Sequence, residues 1–384
     1  MNMLRMTGVA NNAALDFLSR YGDGERRRVL MTLDAVGGVW RYAVELARGL
    51  RPHGVEVVFA GLGPKPSREK VEEIKPLGDV VWLDAPLDWM ARDEGALAQI
   101  PSTLARLAEE EGADLLHLNL PTQAAGLDTR RPVVAVSHSC MVTWWNAVHG
   151  TSLPGEWDWI KRLNTAGMAR ADAVVSPSGS YAQALVRCYG EQPLLHVVHN
   201  GISAFLQGGE KEHFVFGAGR WWDEGKNARA LDRAAAKISW PIILAGADVS
   251  PSGQKTRLSR VRLLGEIPHR KVLAQVRQAA IVVSPSLYEP FGLAALEGAR
   301  AGAALVLSDI PTYRELWSEA ALFFDPHDPD SLAEAVNRLV KDESLRLEMG
   351  ARALARSRRF TPDVQARRMA ELYRDLTDAP VARA

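Results

Sequence analysis

The chain has 384 residues, with 46 Lys+Arg against 46 Asp+Glu, so its formal net charge is zero. That length holds two domains of ordinary size, each with its own core, and a composition of 47% hydrophobic and 24% charged residues is globular. Balanced charge argues against a general nucleic-acid binder, and no apolar run reaches the ~20 residues of a spanning helix. The two cysteines, Cys140 and Cys188, supply neither a disulfide framework nor a zinc site, which makes a reducing compartment the default.

Residues 1–28 are polar and end in Arg26-Arg27-Arg28. Arg5 is followed by a mixed polar stretch, so there is no signal-peptide pattern, and the segment reads as an extension ahead of the first strand. Residues 29–33 form that strand, leading through Asp34-Ala35-Val36-Gly37-Gly38 into a helix that reaches Leu50. Further strands are expected at 55–60, 113–118, 133–137, 173–176 and 194–198. Alternating strands and helices give a parallel, doubly wound sheet. The pattern pauses at His199-Asn200-Gly201 and the polar stretch 207–212, which places a domain boundary between 205 and 206. It restarts at 214–216, 242–245, 261–264, 281–284 and 304–307. The periodicity alone predicts two α/β domains in series with a cleft between them.

The segment with most chemistry runs from 284 to 297, Ser-Pro-Ser-Leu-Tyr-Glu-Pro-Phe-Gly-Leu-Ala-Ala-Leu-Glu. A β-branched apolar strand ends at Ser284, Pro285 and Pro290 break regular structure, and Gly292 opens an Ala/Leu-rich helix that stops near Gly302. Ligands of open parallel sheets bind where strands end and helices begin. Free amides of Phe291, Gly292 and Leu293 suit a phosphate, and the carboxylates of Glu289 and Glu297 suit hydroxyls, because an ionised carboxylate only accepts. A nucleotide-sugar has both features. The plainer alternative, that both glutamates complement a helix dipole, fits Glu297 poorly. Its helix is apolar nearly all round, and a buried charge needs a partner.

Other candidates follow the same logic. Gly37-Gly38 permits close backbone approach to a ligand, or is simply a tight packing turn. Arg220 and Lys226 share one loop, where a guanidinium fork and an ammonium can clamp a diphosphate and stabilise it as it leaves; a solvated basic loop is the alternative. His138, just past a strand end, can position a hydroxyl or share a proton, with His117 a less favoured competitor and a structural role open for both. Trp144, Trp145, Trp157 and Trp159, followed by Lys161 and Arg162, suit core packing, acceptor stacking or contact with a membrane surface. Residues 325–330, Asp-Pro-His-Asp-Pro-Asp, look metal-like but read as a loop and helix cap, and no Asp-x-Asp occupies a cleft position.

The run Glu289-Pro290-Phe291-Gly292-Leu293-x-x-Leu296-Glu297, followed by Ser308-Asp309-Ile310-Pro311 and Arg314-Glu315-Leu316, resembles the signature of retaining glycosyltransferases of the GT-B fold, family 4. The resemblance extends from about residue 30 to about residue 376. It implies two Rossmann-like doubly wound parallel-sheet domains facing across a cleft. Residues 29–205 would form the acceptor side, completed by a C-terminal helix within 362–384, and residues 206–361 the donor side. By resemblance Glu289 contacts donor-sugar hydroxyls, Glu297 the ribose, Gly37-Gly38 with Arg220 and Lys226 the diphosphate, and His138 the donor sugar. Two departures stand out. One extra residue separates Arg220 from Lys226, and Ser203 stands where family members usually have Asp.

The implied activity is transfer of a sugar from a nucleotide-diphosphate donor to a hydroxyl of a glycan, lipid-linked or small acceptor, with retention and without a metal cofactor. The implied setting is polysaccharide or glycolipid synthesis in the cytoplasm or at the inner membrane surface. Epimerase, phosphorylase and non-catalytic partner-subunit readings share this fold. A dehydrogenase is disfavoured because the dinucleotide glycine pattern is missing.

Overall fold

The computed structural model describes residues 3–6, 26–203 and 210–378. Fourteen strands are described: β1 Met3–Met6, β2 Arg27–Asp34, β3 Val55–Leu62, β4 Val80–Leu83, β5 Leu115–Leu118, β6 Val133–Val136, β7 Ala173–Ser176, β8 Leu195–Val197, β9 Glu212–Ala218, β10 Ile242–Ala245, β11 Arg262–Leu263, β12 Ala279–Ser284, β13 Ala304–Ser308 and β14 Leu322–Phe324. They form two sheets, in the orders β1-β4-β3-β2-β5-β6-β7-β8 and β11-β10-β9-β12-β13-β14. Every pairing between neighbours is parallel except β1 with β4.

In each sheet the strand order reverses beside its first parallel strand, between β2 and β5 and between β9 and β12. Those two reversals are where ligand crevices form in doubly wound sheets. Helices cover both faces, so the inner strands read as continuous apolar runs; β6, β12 and β13 are buried along their whole length. Along β2, Val29, Met31 and Leu33 enter one core cluster while Leu30 enters the other, the period of two expected of a strand. Thr32 and Asp34 follow Leu30 on its face and are both buried.

The last helix, Pro362–Asp378, packs against the first sheet. Ala366, Met369, Ala370 and Tyr373 join the core beneath β2 and the Gly38–Leu50 helix. Residues 379–384, and the boundary placed between 205 and 206, lie outside the described residues.

The extension reading of residues 1–28 is corrected at both ends. Residues 3–6 pair as an antiparallel edge strand with β4, and the strand expected from residue 29 begins at Arg27. Residues 7–25 lie outside the described residues. β4 and β14 had no counterpart in the sequence reading; both are short apolar runs of four and three residues.

Candidate functional site

The two halves of the cleft meet at the Gly37-Gly38 turn. Gly37 has φ 108°, a conformation L side chains rarely adopt. A Cβ there would sit 3.8 Å from Arg220 Nη1, and one on Gly38 3.5 Å from Leu293 Cδ1. The turn after β2 of the first sheet therefore faces both the post-β9 loop and the helix after β12. That helix, Leu293–Arg300, is capped by Gly292 at φ 90°, where an added Cβ would lie 2.7 Å from the Tyr313 ring. Its first amides have no acceptor within the helix. Phe291 itself is core, 3% exposed and edge-on to Phe360, so only its backbone can serve a ligand.

The loop carrying Arg220 and Lys226 is organised by Asp223, which the sequence reading passed over. Its Oδ2 accepts from Arg220 Nη2 at 3.0 Å, and its Oδ1 from Trp144 Nε1 at 3.0 Å and from the Gly225 amide at 2.9 Å. The Gly225 carbonyl accepts the Leu287 amide at 2.8 Å, which ties this loop to the one bearing Glu289. The Lys226 ammonium pairs with Glu289, both side chains being mostly buried. Two residues assigned separate ligand contacts are thus each other's partner here. Trp222, on the same loop, lies 5.4 Å from the Arg220 guanidinium and stacks on Trp89 of the first domain at 6.5 Å.

Glu297 is 6% exposed, as the apolar helix implied, and its partner is His269, whose Nε2 lies 2.8 Å from Oε1. Nothing in the sequence marked His269. Across the interface Glu73 is held by Trp40 Nε1 at 3.0 Å and Arg41 at 2.8 Å. Burial opposes its ionised form, but those two donors and the nearby His269 hold its carboxyl below the usual range.

His138 is half-buried at the end of β6, and Asn119 fixes its tautomer. The Asn119 amide nitrogen donates to the Thr32 carbonyl, so Oδ1 faces the histidines. Oδ1 then accepts from His138 Nε2 at 2.7 Å and lies 3.2 Å from His117 Nε2. His138 Nδ1 is left as an acceptor. Burial first, and the neighbouring His117 second, hold the His138 imidazole neutral, well below its ordinary range. His117 is fully buried with its pKa lowered to about 4, chiefly by burial, and its Nδ1 lies 2.6 Å from the Tyr373 hydroxyl. It is a structural link to the last helix rather than a cleft ligand.

The remaining motifs separate. Trp159 is core at 8% exposure, while Trp144, Trp145 and Trp157 are half-buried, with Trp144 on the Asp223 loop. Asp328 caps the Pro329–Lys341 helix, accepting the Asp330 amide at 2.8 Å, which is the cap reading of 325–330. Cys140 and Cys188 are both free thiols. Among the described residues no helix is long and apolar enough to cross a membrane.

Comparison with known proteins adds a family to this geometry. The family described as Glycosyltransferase Family 4 matches residues 36–204, and Glycosyl transferases group 1 matches residues 228–356. The D-inositol 3-phosphate glycosyltransferase of Corynebacterium jeikeium is 34% identical over 165 residues, 40% of this chain and 39% of that relative. The matched stretch is thus about two-fifths of the leading curated relatives. Among solved structures, sucrose-phosphate synthase from Thermosynechococcus elongatus superposes with TM-score 0.77 at 20% identity, covering 92% of this chain and 100% of that one. Anabaena HepE in complex with UDP-glucose superposes with TM-score 0.70 at 18% identity, covering 91% and 100%. At these identities the structural likeness speaks to the shared GT-B fold alone.

Proposed function

The chain belongs to glycosyltransferase family 4, and from that premise we propose that it moves a sugar from a nucleotide-diphosphate donor to an acceptor hydroxyl, with retention at the anomeric carbon. The observation that carries this reading is the approach of the Gly37-Gly38 turn to Arg220 and Leu293. It brings the Arg220 guanidinium and the helix after Gly292 to the crevice of a doubly wound sheet, with the Lys226–Glu289 pair on the adjoining loops.

In this reading the donor diphosphate lies between Gly37-Gly38, Arg220, Lys226 and the amides of the Leu293–Arg300 helix. Its arrival separates Lys226 from Glu289. The ammonium turns to the phosphate and the freed carboxylate to a sugar hydroxyl, so each charge exchanges one partner for another. Glu297, held by His269, accepts from the ribose. His138 offers a neutral Nδ1 to a hydroxyl of the donor sugar. Charge accumulates on the diphosphate as the glycosidic bond breaks, and the cations and amides are already in place to meet it. Domain closure excludes water and aligns the acceptor oxygen with the anomeric carbon. HepE, which shares the fold, is solved with UDP-glucose, which makes UDP the first nucleotide to try.

The test is thermal melting with UDP, GDP and ADP on wild type and on Glu297→Ala. A ligand at a hundred times its dissociation constant stabilises by about 2.7 kcal/mol. A shift with one nucleotide, lost in the variant, supports the donor site and selects the sugar donors to assay. No shift with any of the three removes it.

A further inference from the structure

The first domain's side of the cleft holds two buried side chains with an unused hydrogen-bonding atom. Asp34 is 6% exposed at the end of β2. Its Oδ1 accepts the Val36 amide at 2.7 Å, and among the described residues nothing hydrogen-bonds to Oδ2. Gln123 is 4% exposed. Its Oε1 accepts from Thr32 Oγ1 at 2.7 Å, and among the described residues its amide nitrogen has no partner. Thr32 and Asp34 are two apart on one strand and share a face, so the carboxylate stands one rung beyond the hydroxyl that holds Gln123.

Gln123 also lines a small hollow, with Pro86, Asp88, Leu97, Ile100, Leu120 and Thr122, which has room for about one water-sized group. Asp88 is a wall, since its oxygens are taken by the Trp89 amide at 2.7 Å and Thr122 Oγ1 at 3.0 Å. Trp89, the next residue, stacks with Trp222 of the second domain. Neither Asp34 Oδ2 nor Gln123 Nε2 belongs to the fully buried unpartnered set, so both stay open to an incoming group, and they have opposite needs: an ionised carboxylate accepts and an amide nitrogen donates. A hydroxyl does both.

We propose that Asp34 and Gln123 form the seat for one hydroxyl of a neutral polyol ring, the acceptor, which donates to Asp34 Oδ2 and accepts from Gln123 Nε2. This rests on the transfer reading above and narrows its acceptor. A phosphate is unsuited to the seat, because Asp34 and Asp88 are neighbouring carboxylates there. The charged groups facing Asp34 are Arg220 and Lys70, which favour its ionised form, and Asp88, which opposes it.

The test is calorimetry of myo-inositol, glucose and methyl α-mannoside on the full chain holding UDP, GDP or ADP. Wild type, Asp34→Asn and Gln123→Met are compared, with melting as the folding check. At least one neutral ring should bind wild type and bind roughly tenfold more weakly in each variant, as loss of a charge-assisted or buried hydrogen bond requires. The nucleotide-induced melting shift should be unchanged in both. Absence of binding by all three rings, or equal binding in wild type and both variants, overturns the seat. If no nucleotide shifts the wild type while a ring still binds through Asp34, the donor reading fails and the seat stands.

Discussion

The Lys226–Glu289 pair is where a role of charge beyond folding can be tested. Lys226→Ala leaves a mostly buried carboxylate unpaired, which costs about 1–3 kcal/mol of stability, while loss of a cation on the leaving diphosphate would lower turnover on the order of 10²–10³-fold. Turnover near wild type in that variant would sink the proposed role. Asp34 makes the opposite trade. Burial raises its pKa from 3.8 to about 6 against the pull of the Val36 amide, Arg220 and Lys70. A carboxyl with a raised folded value favours the fold fully below the unfolded pKa, and that contribution is lost as pH rises through the folded one. Asp34→Asn should therefore melt higher than wild type at pH 8, by an amount worth at most about 3 kcal/mol, and show no such gain near pH 3, while acceptor affinity falls. Equal melting curves at pH 8 would contradict the burial cost. Glu289, Glu297, Arg220 and Lys226 stand out as candidates because each sits in a contiguous motif. Asn119, Thr32 and Tyr373 do not, since their network joins positions as far apart as His117 and Tyr373, which no local pattern records.

The elements that position the site were legible where they repeat and obscure where they pair at long range. Strand β6 and strand β12 announce themselves as apolar runs bounded by turn residues, and the Leu293–Arg300 helix by its glycine cap. Strand β1 has no such mark. Met-Leu-Arg-Met becomes a strand only because Val80–Leu83 offers an edge to it. The Gly37-Gly38 turn carried its signal in composition, and its geometry supplies the reason. Gly37→Ala would hold an alanine in the left-handed half of backbone space, costing roughly 1–2 kcal/mol. It would also place a methyl 3.8 Å from Arg220 Nη1, where the diphosphate is proposed to lie. The variant is expected to melt lower and to show a weaker nucleotide shift than wild type. A normal shift would mean that this turn does not approach the donor.

At the scale of the whole molecule, the sequence indicated two domains and a cleft but not what holds the cleft together. The answer lies in contacts between motifs that each looked local. Ser178 Oγ donates to the Pro290 carbonyl at 2.6 Å, linking the start of the Gly179–Tyr189 helix to the loop of Glu289. Glu315, in the Arg314-Glu315-Leu316 run, accepts the Gly179 and Ser180 amides at 2.9 and 2.5 Å, capping that helix from the other domain, with His199 Nε2 3.6 Å away. An acidic group at a helix N-terminus meets unpaired amides and the positive end of the dipole. Burial opposes the charge, yet His199 and the Ser180 and Gly179 contacts bring the Glu315 pKa down from 4.5 to about 2. Its contribution to the joined form is thus complete above pH 4.5 and is lost as pH falls toward 2. Glu315→Gln keeps the shape but removes the charge, so at pH 7 it should loosen the two domains while leaving each sheet intact. Small-angle scattering of the nucleotide-free chain reads this directly. The variant should show a larger radius of gyration at pH 7, and wild type should expand on acidification between pH 4.5 and 2, before its helical signal is lost. Superimposable profiles for the two proteins at pH 7 would show that Glu315 caps its helix without holding the domains. Closure would then rest on the Trp144–Asp223 and Trp89–Trp222 contacts beside the proposed diphosphate site.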